Sequence, residues 1–331
     1  MKISIFIPTY NSGEILKETQ DSVLGQTHQD LETLCVDDSS TDNGLTWGIL
    51  NEYAAKDSRV RIFQKPNQGC VPFSWNYILP KISGEFTFYM SHDDILEPEA
   101  IAKMVKIADS DPEIDHVLVK MIQFEHDYMN PEPEFSWQNK KFNDMCARPA
   151  ISGKDAFVES LDYGLPGFGI WRTELIKQLG VPTDTFNGDD YMHRIWKLHC
   201  RKVAFSDARF FYRQNPNGIL KGFKPYHYKG LVVHDRLAEF LDEVKFITPG
   251  RYAEVIYNWY KWLRMHNAWF STHPKQYSNA ERKEIKKCLR QSHRIIGSRV
   301  TAVPKGINGK IVKMSSRCYP LFRLLGHFDK V

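Results

Sequence analysis

Short apolar runs alternate with amphipathic stretches along the first part of the chain, and this alternation limits the possible folds more than any other sequence feature. The run from Lys2 to Pro8 is apolar and rich in β-branched residues, which is typical of a strand covered on both faces. A helix is predicted from Glu14 to Leu24, with Asn11 or Ser12 as its N-cap, and the alternation continues to a strand from Glu85 to Met90. This order predicts an α/β fold with a doubly wound, mainly parallel sheet and helices on both faces.

Polar side chains stand directly after three of the predicted strands. They are the segment Pro8-Thr9-Tyr10-Asn11, the pair Asp37-Asp38 and the triplet His92-Asp93-Asp94. In open α/β sheets the ligand crevice lies at the carboxyl ends of the strands, so these segments are expected to meet at one edge. Loops rich in Asp and Asn are also ordinary turn chemistry, which explains any one cluster alone. Three clusters at three strand ends favour a ligand site.

The pattern becomes less regular after Phe124. A segment rich in Pro, Asn and Asp, from Glu125 to Ala150, predicts a long excursion from the sheet. Asp189 and Asp190 open a predicted helix that runs to about Cys200. Further predicted elements are a helix from Asp155 to Leu161, a glycine-rich turn from Leu165 to Gly169, a helix from Thr173 to Leu179, and strands from Val203 to Phe205 and from Arg209 to Arg213.

Positive charge is concentrated at the C-terminal end of the chain. Residues 245–331 carry 18 Lys and Arg against 4 Asp and Glu, a net charge of +14, whereas the whole chain has a net charge of +4. From Pro225 the pattern is helical and rich in aromatic residues. Three interpretations of this region are possible. It is a helical subdomain with inward aromatic side chains and a solvated basic face, a peripheral membrane surface, or a nucleic-acid-binding region, although no recognised module of the last kind is present. The apolar positions of this region are Ile256, Trp259, Tyr260, Trp262, Leu263, Trp269 and Phe270.

The composition is that of a globular protein, and we expect the chain to be cytoplasmic, with possible peripheral contact at the inner face of the membrane. No stretch approaches the roughly 18 consecutive apolar residues that a spanning helix needs. The N-terminal apolar run is too short for a signal peptide and is broken by Pro8, Asn11 and Gly13. The 6 cysteines lie far apart without zinc-ligand spacing, which indicates free thiols.

Four motifs in this order resemble the family 2 glycosyltransferases of GT-A fold. They read PTYNSGEILKETQDSVLGQT, LCVDDSSTDNG, VRIFQKPNQGC and GEFTFYMSHDDILEP, and weaker likeness continues through GIWRTELIKQLG, NGDDYMHRIWKL and FFYRQNPNG to about residue 215. The resemblance implies a glycosyltransferase domain over residues 1–224, with a nucleotide-sugar half (1–110) and an acceptor half (111–224). A basic, aromatic-rich helical region follows over residues 225–331.

The resemblance also implies a role for individual residues. The activity would be inverting transfer from a nucleotide diphosphate sugar, with a UDP-sugar favoured by Asp38, to a growing bacterial-type glycan, soluble or lipid-linked. Asp190 matches the catalytic base, and Mn²⁺ or Mg²⁺ would bind at Asp94 or Asp93. The nucleotide-binding positions are Pro8, Thr9, Tyr10, Asn11, Asp38, Asn67 and Asp93. The acceptor-side positions are Gly167, Phe168, Trp171 and Asp189.

The chemistry of glycosyl transfer suits these residue types. A divalent cation stabilises a diphosphate leaving group, and hard cations prefer oxygen ligands. Since neighbouring side chains on an extended strand point to opposite faces, only one of Asp93 and Asp94 is expected to bind the metal, and we expect Asp94. A carboxylate such as Asp190 can take the proton of the acceptor hydroxyl, and a single base opposite the leaving group implies inversion. Alternatively, Asp189 and Asp190 only cap their helix.

Three positions depart from the family pattern. Ser91 replaces the first acid of the common DxDD motif, Asp189 replaces Glu, and Gln214-Asn215 stands where many relatives have histidine. A non-catalytic protein that binds sugar nucleotides or glycans therefore remains an alternative. A dinucleotide oxidoreductase is disfavoured because no G-x-G-x-x-G follows the first strand. Arg172 and Arg213 could contact phosphate or form ion pairs.

Overall fold

The computed structural model describes residues 1–125, 127–129, 148–162, 164–183, 188–214, 223–303 and 307–327. The chain divides into two compact units. The first unit consists of Met1–Thr183 and Met192–Gly218, and the second consists of Asp184–Tyr191 and Ile219–Val331.

The first unit is built on one mixed sheet with helices on both faces. Its strands are β1 (Ile3–Thr9), β2 (Leu31–Asp37), β3 (Val60–Gln64), β4 (Phe86–Tyr89), β5 (Ile95–Leu96), β6 (Ile114–Phe124), β7 (Ile151–Ser152), β8 (Gly169–Arg172) and β9 (Lys202–Arg213). Its helices are α1 (Ile15–Leu24), α2 (Leu45–Lys56), α3 (Val71–Ile78), α4 (Ala100–Ser110), α5 (Gly153–Ser160), α6 (Thr173–Leu179) and, from Met192 onward, α7 (Gly188–His199). A short 3₁₀ turn, Leu79–Lys81, follows α3.

The strands of the described sheet follow the order β3-β2-β1-β4-β8-β6-β9-β5, and β7 pairs with β9. Strands β1 to β4 are parallel to one another, which confirms the α/β sheet predicted from the alternating pattern. The other half is mixed, because β8 runs antiparallel to both β4 and β6. Strand β9 is parallel to β6 and antiparallel to β5.

Strand β1 shows why both faces of the sheet are covered. Ile3, Ile5 and Ile7 are fully buried and pack in one core with apolar residues of α1, α2 and α4. Phe6 points to the opposite face, where its ring lies 4.7 Å from that of Trp75 in α3. Alternate side chains of the strand therefore serve two separate cores, which accounts for the uninterrupted apolar run in the sequence.

Three sequence-based expectations differ from the structure. A glycine-rich turn was predicted before the helix that begins at Thr173, and strand β8 between them was not predicted. The two strands predicted near the end of the unit form the single strand β9, whose pairing with β6 shifts register where Ser206 Oγ accepts a hydrogen bond from Ala208 N (3.0 Å). Helix α1 has no side-chain N-cap: the Asn11 side chain accepts a hydrogen bond from Thr41 N instead, and Ser12 Oγ is buried without a hydrogen-bond partner among the described residues.

The second unit is helical in its described part. Its helices are α8 (Pro225–Lys229), α9 (Leu231–Glu243), α10 (Pro249–Thr272), α11 (Asn279–Ser292), α12 (Ile307–Arg317) and α13 (Tyr319–Leu325), with a 3₁₀ turn at Pro274–Gln276 and a π-helical turn at His293–Gly297. Trp259, Tyr260 and Phe270 of α10 are buried, as the interpretation with inward aromatic side chains predicts, whereas Trp262 is 43% exposed. None of the described helices combines the length and the apolar composition that crossing a lipid bilayer requires.

Gly169, the first residue of β8, is where a side chain is least tolerated in the sheet. Its φ is +143°, and a Cβ atom built there would lie 2.0 Å from the carbonyl oxygen of Val117. We expect Gly169→Ala to lower the free energy of unfolding by about 1–3 kcal/mol more than Gly180→Ala does. Both glycines have a positive φ, but only at Gly169 would the added Cβ atom also clash with a neighbouring atom. Chemical denaturation of both variants measures the difference, and equal losses would contradict the assigned clash.

Candidate functional site

The ends of β1, β2 and β4 bring the predicted polar segments to one edge of the sheet. Strand β1 lies between the other two, and all three run in the same direction. Hydrogen bonds join the ends of the strands. Between β1 and β2, Asp38 N donates to Thr9 O (2.9 Å) and Thr9 Oγ1 donates to Val36 O (3.3 Å), and after β4, Met90 N donates to Phe6 O of β1 (3.2 Å). The expectation that these segments meet is therefore confirmed within the first unit.

The loop after β1 is fixed by Asn11 and leaves Tyr10 accessible. Asn11 has a φ of +49°, its N donates to Ser40 Oγ (2.9 Å), and its Oδ1 accepts from Thr41 N (2.7 Å). The side chain of Asn11 thus joins the loop after β1 to the loop after β2. The Tyr10 ring is 43% exposed at the same place and offers a flat surface on which a nucleotide base can stack.

The two acids at the end of β2 have different environments. Asp37 is fully buried, and its carboxylate accepts hydrogen bonds from Ser40 N (3.2 Å) and from Gln64 Nε2 (3.0 Å). Asp38 forms an ion pair with Lys65, whose side chain is 3% exposed. Lys65 Nζ also donates to the carbonyl oxygen of Pro66 (3.2 Å). Asp37 therefore shapes the loop, and Lys65 fixes the orientation of the Asp38 carboxylate.

Sequence analysis did not single out Lys65. The available signal was its place directly after β3, which is parallel to β2, so that the two strands end side by side. Asn67, two residues further on, accepts a hydrogen bond from Gly69 N through its Oδ1 (2.8 Å) and closes a turn in which Gly69 has a φ of +78°. The Asn67 side chain thus has a role within the loop.

Asp94 is buried and its carboxylate holds the backbone of two segments together. Its Oδ1 accepts from Arg213 N (3.0 Å), its Oδ2 accepts from Ser91 N (3.3 Å), and none of its surface is exposed. Burial, together with the charge of Asp93, raises the pKa of the Asp94 carboxyl well above its usual value. This environment differs from the one expected of a metal ligand, whereas Asp93 is only partly buried.

Neighbouring groups support this arrangement. Arg213 Nε donates to Asp93 O (2.9 Å), and Arg213 also forms an ion pair with Glu18 (2.6 Å). His92 hydrogen-bonds to the backbone of Pro8, and burial lowers the pKa of its imidazole. Arg172 forms an ion pair with Asp115 (2.7 Å). For both arginines, the ion-pair interpretation therefore matches the structure.

The described residues contain no cluster of three or more His, Cys, Asp or Glu side chains arranged around a cation. A cation bound to a diphosphate does not need such a cluster, since one or two carboxylates plus phosphate oxygens and waters complete its coordination. The partly exposed Asp93 carboxylate at the sheet edge fits this requirement better than the enclosed Asp94.

The predicted acceptor-side residues of the first unit are mostly packing groups. Trp171 is 1% exposed, stacks on His116 with ring centroids 3.4 Å apart, and donates from Nε1 to Gly167 O (3.0 Å). A Cβ atom at Gly167 would lie 2.8 Å from the His193 ring, so this glycine permits a close contact. Phe168 is partly buried against Phe210. These contacts favour the packing interpretation for Gly167 and Trp171.

Asp189 and Asp190 lie in the first turn of α7, where the sequence predicted a helix start. The N-terminus of a helix favours an ionised carboxylate. Both acids belong to the second unit, whereas α7 from Met192 onward is buried in the first, with Trp196 1% exposed. Asn215, which stands where many relatives have histidine, lies outside the described residues.

The chain is similar to known glycosyltransferases in sequence. Residues 4–155 match the family model for glycosyl transferase family 2. Glycosyltransferase GlyG of Streptococcus pneumoniae is 25% identical over 225 residues, which cover 66% of this chain and 73% of GlyG. A poly(ribitol-phosphate) beta-glucosyltransferase of Bacillus spizizenii is 38% identical over 106 residues, 31% of this chain and only 16% of that protein.

The fold is also similar to solved structures. Residues 1–349 of TarS from S. aureus superimpose with a TM-score of 0.68 at 19% identity, covering 98% of this chain and 90% of that one. Mannosyltransferase PcManGT from Pyrobaculum calidifontis, solved with GDP-Man and Mn²⁺, gives a TM-score of 0.52 at 14% identity, covering 99% and 88%. Residues 4–155 therefore match a glycosyl transferase family 2 domain, the similar sequences indicate a glycosyltransferase, and the described structure has a GT-A fold with a helical C-terminal region.

Proposed function

We propose that this glycosyltransferase transfers a sugar, with inversion, from a UDP-sugar to a hydroxyl group of a cell-envelope glycan, soluble or lipid-linked. The observation that carries the proposal is the convergence of Tyr10, Asp38 and Asp93 at the shared edge of β1, β2 and β4. An aromatic ring, a fixed carboxylate and a second, partly exposed carboxylate are the groups that a base, a ribose or pyrimidine edge and a diphosphate require.

The donor assignment rests on Asp38 and Lys65. A carboxylate that is paired with an ammonium group has no hydrogen to donate, so it can only accept hydrogen bonds. The N3 position of uracil carries a hydrogen, whereas N3 of cytosine is an acceptor, and the pair therefore favours uracil. TarS residues 1–349 have been solved in complex with UDP and with UDP-GlcNAc, which supports the same donor class here.

For the metal position we propose Asp93, and for Asp94 a structural role. The carboxylate of Asp94 is fully enclosed, and each of its oxygens already accepts a backbone hydrogen bond. A bound Mn²⁺ or Mg²⁺ ion would neutralise the charge that develops on the departing diphosphate. The complex of PcManGT with Mn²⁺ supports a divalent cation in this fold.

Asp190 is the proposed general base. It lies in the first turn of α7, where the helix dipole stabilises its ionised form and so keeps it ready to accept a proton. A base that acts on the side of the sugar opposite the leaving group gives in-line displacement and inversion. The similarity to a poly(ribitol-phosphate) beta-glucosyltransferase supports an envelope glycan as acceptor.

Asp190→Asn tests the enzyme assignment directly. We expect turnover to fall by about 10²–10⁴-fold, since a positioned base contributes that much, while UDP binding is retained. UDP release from UDP-GlcNAc and UDP-glucose in the presence of cell-wall glycan measures turnover, and a thermal shift with UDP measures binding. Asp189→Asn is the matched control and should keep most of the activity. Full turnover by Asp190→Asn would remove the base assignment.

The metal dependence of UDP binding distinguishes the proposed roles of Asp93 and Asp94. We expect Asp93→Asn to abolish the additional thermal stabilisation that Mn²⁺ gives to the UDP complex. Asp94→Asn should instead lower the melting temperature without ligand, because an amide cannot accept both backbone hydrogen bonds. The reverse pattern, with a stable Asp94→Asn that ignores Mn²⁺, would return the metal to Asp94.

Lys65→Met tests how the base is selected. Removal of the ammonium leaves Asp38 without the pair that fixes it, so UDP affinity should fall about tenfold or more, which corresponds to about 1.4 kcal/mol. The preference for UDP over CDP should shrink as well. Titration calorimetry with both nucleotides measures the change. Lys56→Met, at an exposed lysine paired with Glu52 on α2, is the control and should bind like the parent protein. Unchanged discrimination in Lys65→Met would exclude this role.

A further inference from the structure

The helix α11 carries a basic face that the proposed transfer reaction does not use. Five exposed cations, Lys283, Lys286, Lys287, Arg290 and Arg294, together with Gln291 line one shallow surface. The four cations within α11 are spaced so that they share one side of the helix, and Arg294 follows in the π-helical turn. The opposite side is buried through Ile285 and Leu289.

The two acidic residues of α11 interact with groups outside the basic face. Glu281 closes the capping box with Ser278, and its Oε2 accepts from Ser278 N (2.7 Å). Glu284 forms an ion pair with Lys229 of α8 (3.2 Å). Within the described part of the chain, no carboxylate forms an ion pair with the five cations of the basic face. The charge of this face is therefore left for an external anion.

The neighbouring helix α12 carries exposed apolar side chains next to exposed lysines. On α12, Met314 is 62% exposed and Ile311 is 37% exposed, and both are flanked by the exposed residues Lys310 and Lys313. No acidic residue occurs in α12 or α13. Exposed apolar side chains stay in water when a soluble phosphate polymer binds, so they add no binding free energy there. At the boundary between the headgroups and acyl chains of a bilayer, such side chains leave water, which is favourable.

The segments that carry these two features are packed against each other. His293, directly after α11, hydrogen-bonds through Nε2 to Ser315 O of α12 (2.8 Å). The Arg290 guanidinium lies over the Tyr319 ring of α13, 5.4 Å from its centre. Because α11, α12 and α13 are joined in this way, a surface that attracts α11 also brings α12 near.

We propose that the basic face of α11, aided by Met314 and Ile311 of α12, binds the surface of a bilayer that contains anionic phospholipids. Lysine and arginine side chains are attracted to the negative potential of such a surface, and the exposed apolar side chains enter its headgroup region. This binding lies entirely within the second unit and does not depend on the donor site.

The test is co-sedimentation of the full chain with vesicles of phosphatidylcholine alone and of phosphatidylcholine mixed with phosphatidylglycerol. We expect binding to the anionic vesicles only, weakened by added salt. The triple variant Lys283→Gln, Lys286→Gln, Lys287→Gln should bind at least about tenfold more weakly. The control removes the same charge at exposed lysines elsewhere, as Lys106→Gln, Lys245→Gln, Lys275→Gln, and should bind like the parent protein.

Two further measurements separate the possible outcomes. Met314→Ser leaves the charge unchanged and should still weaken vesicle binding, as insertion requires. Thermal melting and UDP binding of the triple variant should match those of the parent protein, which separates a lipid role from damage to the fold or the donor site. Equal losses in the two triple variants would reduce the effect to net charge and overturn the proposal. Binding of soluble polyphosphate without binding of anionic vesicles would assign the face to a polyanion instead, and would equally overturn it.

Discussion

The parallel pairing of β1 with β2 and β4 brings the loops that carry Tyr10, Asp38 and Asp93 to one edge of the sheet. The register places Thr9 opposite Asp37, so β1 and β2 end at the same level, whereas β4 ends at Tyr89 opposite Phe6. Strand β1 is buried on both faces and cannot slip by one residue without moving its isoleucines and Phe6 into the wrong cores. The packing of the strands therefore fixes the positions of the loops that follow them.

A common division of roles appears at two of these strand ends. Each carries two consecutive acids, of which one is fully buried and organises the loop: Asp37 after β2 and Asp94 after β4. The adjacent acid, Asp38 or Asp93, is less buried. Such an acid pair can supply one carboxylate to the protein and another to a ligand. The buried member makes the position of its neighbour rigid.

The sequence predicted much of the first unit because the relevant signals are local. Helix α6 was predicted with its observed bounds, and β1 and β4 to within one residue at each end, since apolar runs and breakers specify them. Strand β8 was missed because Gly167 and Gly169 suggest a turn. The chain requires glycine there for contacts with His193 and with the Val117 carbonyl, which only the tertiary structure reveals.

The site was predictable in its location but less so in its detail. The position of Asp94 in a family motif predicted a metal ligand, and the structure adds that its carboxylate accepts a hydrogen bond from the backbone of Arg213, which is 119 residues away in sequence. Lys65 became visible only through its ion pair with Asp38. Both outcomes arise from partners that are distant along the chain, and no local pattern encodes such partners.

The second unit shows that stability and charge can be supplied by different surfaces of the same helices. Trp259, Tyr260 and Phe270 bury large aromatic areas, and such burial dominates core energetics. Repulsion between exposed lysines separated by water is weak and is screened further by salt. The bundle can therefore carry a row of cations along α11 without losing its fold. Positive charge that contributes little to folding is then available for recognition of an anionic partner.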